Sequence, residues 1–103
     1  PLTVLPAKDD HYCIDTKQDC WFNADTGDAQ CQNQTIKVQR WQEGDSMNDL
    51  IEAPTLVSAS ASFHDALEIR HRTGFVVLVE CNDRSLKVIG DDQLYRGLLG
   101  KLG

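Results

Sequence analysis

Several things that a catalyst, a membrane span or a nucleic-acid binder would need are missing from this sequence. No apolar stretch approaches the ~20 residues required to cross a bilayer. The Walker A pattern, G-x-G-x-x-G and H-E-x-x-H are all absent, which removes the common routes to nucleotide hydrolysis, dinucleotide binding and zinc proteolysis. Positive charge is scarce: ten Lys and Arg stand against sixteen Asp and Glu, a net charge of -6. Acidic residues recur along most of the chain, so nucleic acid and anionic lipid surfaces would be repelled and direct membrane insertion is not expected. The chain opens on Pro1 and shows no signal peptide, so we read residues 1–10 as a linker from an upstream domain. A total of 103 residues suits one modest domain.

Cysteine is present, but without any C-x-x-C pair. Cys13, Cys20, Cys31 and Cys81 lack the spacing of zinc ribbons and thioredoxin-like sites. We expect reduced thiols in a cytosolic protein; the competing reading is two disulfides in an exported domain.

What is there divides into two halves. Residues 11–53 are polar and β-rich: His11 to Asp15, Asp19 to Asn23 and Thr35 to Trp41 alternate like strands, separated by turn-forming clusters at 15–18 and 23–28. A small antiparallel meander is predicted, followed by a connector over 42–48. Residues 54–103 are better specified. Thr55-Leu56-Val57 reads as a strand, and Ser62 as the N-cap of a helix that buries Phe63, Ala66, Leu67 and the Arg70 stem and stops at Thr73-Gly74. Phe75 to Val79 is the apolar run of a strand buried on both faces. Cys81 to Arg84 turns the chain into the strand Ser85 to Ile89. Asp91 would then cap a last helix whose Leu94, Tyr95, Leu98, Leu99 and Leu102 form one stripe. The fold class predicted is α+β: a meander, then a β-α-β-β-α unit, together one compact domain.

The phrasing of Thr55 to Ser62 with His64-Asp65-Ala66-Leu67, of Gly74 to Val79 and of Leu86 to Leu94 resembles a CBS motif, named for cystathionine β-synthase. Pro1 to Leu5, Ile69 to Gly74 and Ile89 to Asp92 look like phrases of the ATP-binding subunits of quaternary-amine (choline, glycine betaine) ABC importers. The resemblance implies a CBS-like accessory domain of such a subunit, cytoplasmic and peripheral to the inner membrane. Its implied partners are a second copy, the upstream ATPase domain and the membrane permease subunits. It also implies that ATP belongs to the parent subunit and that this chain carries no cofactor. CBS modules that hold adenosine nucleotides usually present a glycine, a Ser or Thr and an acidic residue where this chain has Lys87, Gly90 and Gln93, so tight ATP binding here is not expected.

The remaining candidates have plainer explanations beside them. His64 and His71 lie about 10 Å apart along one helix, too far to grip one metal together. Trp21, Phe22 and Trp41 would either build a cage for a quaternary ammonium or fill the meander's core, and core is the simpler use. Asp91, Asp92 and Gln93 are the candidate ligand contacts, although helix capping alone accounts for the two aspartates. Tyr95, Leu98, Leu99 and Leu102 are the candidate dimer contacts. The function expected is therefore regulatory and dimerising, with no catalytic or metal residue in the chain itself. The alternatives are a free-standing metabolite-binding module and a small cysteine or histidine enzyme.

Overall fold

A computed structural model describes residues 11–15, 17–32 and 34–102; the side chains of residues 11, 98 and 100–102 are outside that description. The linker expected over residues 1–10 falls outside it too. Four short strands, β1 (His11–Asp15), β2 (Cys20–Asn23), β3 (Asp28–Cys31) and β4 (Gln34–Lys37), form an antiparallel meander in chain order. The β2–β3 turn is an Asx-type turn. Asn23 Oδ1 accepts from the amides of Asp25 at 2.9 Å and Thr26 at 3.3 Å, and Gly27 N donates to Asn23 O at 2.8 Å. Strand β3 has no counterpart among the strands the sequence predicts. Its inward residues Ala29 and Cys31 are too small to advertise a buried face, yet both are buried.

The segment 35–41, read from sequence as one strand, is two. Strand β5 (Gln39–Trp41) leaves the meander at Val38 and joins a second sheet with β6 (Thr55–Ser58), β7 (Val77–Glu80) and β8 (Leu86–Ile89). The Gln39 side chain fixes the break. Its Nε2 reaches Ile51 O at 2.9 Å, Ala53 O at 3.2 Å and Thr55 Oγ1 at 2.9 Å, while its Oε1 accepts from Ile51 N at 3.2 Å. With Gln39 N donating to Pro54 O at 2.9 Å, the segment 51–55 is latched beside β5. In this sheet β5, β6 and β7 run parallel, and β8 returns antiparallel to β7.

Alternation sends the second sheet's side chains to two different cores. Leu56 and Leu78, neighbours in register, join Ile14, Cys20, Phe22, Ala29 and Cys31 of the meander. Val57, Val77 and Val79 instead pack with Trp41, Ala66, Ile69 and Leu94. The mixed sheet is thus a middle layer, with the meander on one face and two helices, α1 (Phe63–Thr73) and α2 (Asp91–Leu102), on the other. Phe75 to Val79 is buried throughout, as its continuous apolar run requires. The observed order over 55–102 is β-α-β-β-α within an α+β molecule of two sheets and two helices.

Helix α1 begins and ends at the expected signals. Ser62 Oγ accepts from Asp65 N at 3.0 Å, and Gly74 takes the left-handed φ of 79° that a Cβ would disfavour. Its buried stripe is rotated from the one expected: Ala66, Ile69 and Thr73 face the core, whereas Phe63 is 39% exposed. Thr73 tolerates burial because its hydroxyl donates to Ile69 O at 2.9 Å and accepts from Phe75 N at 3.3 Å.

The expectation of four reduced thiols is overturned. Cys20 and Cys31, directly opposite one another in β2 and β3, are joined by a disulfide. Cys13 and Cys81 are unpaired and half-buried. No helix among the described residues is long and apolar enough to cross a membrane.

Candidate ligand cleft and helix interface

The turn from β8 into α2 is organised by Gln93, not by Asp91. Gln93 Oε1 reaches back to accept from Gly90 N at 3.1 Å, the reciprocal arm of a capping box, and Leu94 N donates to Gly90 O at 3.1 Å. Leu94 is fully buried and pins this first turn to the core. Asp91 therefore has its carboxylate available for a different partner. It points across to α1, where Arg70 Nε donates to Asp91 Oδ1 at 3.1 Å. The capping expected of Asp91 needs correcting: Gln93 supplies the capping side chain, and Asp91 is the anion of an interhelical ion pair. Asp92 lies exposed in the same turn, on the positive end of the helix dipole.

Beside this pair is an open cleft of about 360 Å³ lined by Leu67, Arg70, His71, Gly74, Asp91 and Tyr95. It brings Asp91 and Tyr95 together, one from each set proposed on sequence grounds. It also adds Arg70 and His71, which no local pattern joins to them, because they lie about two dozen residues upstream. Gln93 is not among the lining residues. A second cleft of about 230 Å³ lies between the meander and the mixed sheet. Phe22 and Leu56 are among its lining residues, as are Arg40 and Glu80, which pair at 3.2 Å.

Helix α2 exposes two large apolar side chains among its charged and polar ones. Tyr95 and Leu99 stand one turn apart, 65% and 64% exposed. Leu94 does not belong with them, so the single stripe read from sequence divides into a buried edge and an exposed one. Leu98 and Leu102 carry side chains outside the described set. The two helices approach closely at Gly97: a Cβ there would meet the Phe63 ring at 2.5 Å. A glycine inside a helix normally weakens it, and here that cost is tied to a packing reason.

Other candidates are dispersed. Trp21 Nε1 donates to Asp19 Oδ1 at 3.0 Å at the surface, Phe22 is in the meander core, and Trp41 is in the helix-side core with Nε1 donating to Asp45 O at 3.2 Å. The three rings do not converge, so the aromatic cage is not assembled, and Trp41 does not fill the meander. His64 and His71 are both exposed, and no cluster of three or more potential metal ligands occurs among the described residues. Burial pushes the Cys13 thiol upward, which favours its protonated form.

Comparison of the chain with known protein families, with curated proteins and with solved structures yields no match in any of the three.

Proposed function

We infer that this domain regulates a larger assembly by pairing with a second copy of itself, as the CBS-like accessory domain of the ATP-binding subunit of a quaternary-amine ABC importer. The observation that carries the pairing is the exposed Tyr95–Leu99 ridge on α2, held outward by the buried Leu94 on a β-α-β-β-α unit. Two copies packed through this ridge would set the spacing of whatever is attached to them. A ligand or ionic condition that prefers one packing would then bias the closure of the attached ATPase domains. The domain would work in the cytoplasm, peripheral to the inner membrane, beside the permease subunits. The importer half of this reading rests on the sequence phrases around Pro1, Ile69 and Ile89. A Walker A lysine encoded upstream of Pro1 supports it, and an upstream sequence without one contradicts it.

A free-standing metabolite-binding module is the second reading, and the cleft beside Asp91 favours it. Adenosine nucleotide is a poor candidate occupant. Its ribose would need a free carboxylate, while Asp91 is paired with Arg70 and Gln93 caps the helix. Calorimetric titration with ATP is expected to give no binding tighter than about 1 mM, roughly −4 kcal/mol. Micromolar binding that disappears in Asp91→Ala would instead identify the cleft as a nucleotide site and the module reading as correct.

A further inference from the structure

The bridged cysteines close the end of the meander where the backbone is least favourable. Asp19, just before Cys20, has φ 53°, and Gln32, just after Cys31, has φ 55°. Neither is glycine, and the left-handed conformation costs an ordinary residue roughly 1–2 kcal/mol. The two are adjacent in space, linked by a long 3.4 Å bond from Gln32 N to Asp19 O. Both conformations work against pairing at this end, and the disulfide holds it closed. Both sulfurs belong to the core shared with the mixed sheet, but unequally: Cys20 is fully buried, whereas Cys31 keeps 7% exposure. Among the described residues the core on the helix side contains none from the meander; Trp41, Val57, Ala66, Ile69, Val77, Val79 and Leu94 hold one another. Cys13 pairs in register with Trp21, not with either bridged residue.

We propose that Cys20–Cys31 is a redox-labile lock on the meander, opened by a dithiol reductant, and that its opening loosens the β2–β3 end while the β-α-β-β-α half stays folded. The thiolate of the reductant attacks Cys31 Sγ, the sulfur first reached when the end frays. The sulfur–sulfur bond breaks, and Cys20 leaves as a thiolate that takes up a proton. The Gln18 carbonyl, 3.7 Å from Cys20 Sγ, accepts from the resulting thiol. The reductant's second thiol then attacks the mixed disulfide, releasing Cys31 as a thiol and closing the reductant into its own disulfide. Two electrons and two protons pass to the protein. The device does not depend on the importer reading. In a cytosolic setting, a bridge of this kind would be transient and responsive, not a permanent staple.

Hydrogen exchange on the whole chain before and after dithiothreitol tests the lock, with thiol counting alongside. The count should rise from two to four on reduction. Amides of Trp21, Gln30 and Cys31 should exchange at least about tenfold faster, while those of Ile69 and Val77 to Val79 change less than about twofold. The double variant Cys20→Ser/Cys31→Ser should match the reduced protein and ignore dithiothreitol. Four thiols before any reductant would overturn the proposal. So would unchanged exchange in β2 and β3 after reduction, or equal acceleration in both halves.

Discussion

Gly97 and Phe63 form a pair whose energetics can be read in either direction. Replacing a helix-interior glycine by alanine normally gains about 1 kcal/mol. Here the new Cβ would fall 2.5–2.6 Å from three atoms of the Phe63 ring, so the ring must leave its place. We expect Gly97→Ala to destabilise the protein by about 1 kcal/mol with Phe63 present, within the usual range for overpacking. In a Phe63→Ala background the same change should stabilise by a similar amount, which a double-mutant cycle in urea would detect as a reversal of sign. At the β7–β8 turn, Asp83 accepts from Ser85 Oγ at 2.5 Å and from Ser85 N at 3.0 Å, and these bonds hold its carboxyl below the ordinary aspartate value. A lowered folded-state pKa means that the stabilisation is present above the unfolded value and is lost as pH falls through the folded one. In Ser85→Ala, an NMR titration of Asp83 should show its pKa moving upward, and an unchanged value would remove the hydroxyl from the explanation.

Elements were legible in the sequence where their causes are local. Ser62 and Gly74 sit within one turn of the groups they serve, and Phe75 to Val79 carries its burial in an uninterrupted apolar run. Elements whose causes are distant were not. The break between β4 and β5 depends on Gln39 bonding to Ile51, Ala53 and Thr55, more than ten residues away, and a lone glutamine gives no sign of that. Asp91 was legible as a first-turn carboxylate, but its partner Arg70 is 21 residues back and on another helix. The Tyr95–Leu99 ridge was half legible: the periodicity marked an apolar helix, but only the packing of Leu94 decides which edge is buried. The Gln39 latch makes a direct prediction. Gln39→Ala should destabilise by about 1–3 kcal/mol, because the Ile51 and Ala53 carbonyls lose their donor, whereas an exposed glutamine replaced elsewhere would cost within about 0.5 kcal/mol. The shift of the urea midpoint measures it.

At the scale of the whole molecule, the mixed sheet has both faces covered, and the remaining exposed apolar surface on the helix layer includes Phe63, Tyr95 and Leu99. Covering a few hundred Å² per partner at ~25 cal/mol per Å² is worth several kcal/mol before association entropy opposes it. The pair formed by isolated domains should therefore be weak, and stronger when attached ATPase domains raise the effective concentration. Leu99→Asp places a charge on the ridge while leaving Leu94 and both cores untouched. Sedimentation over rising protein concentration tests the claim most directly. The account predicts reversible dimers in the high-micromolar to millimolar range, of order −4 to −5 kcal/mol, that disappear in Leu99→Asp. A strict monomer at about 1 mM, or a dimer unaffected by Leu99→Asp, would contradict it.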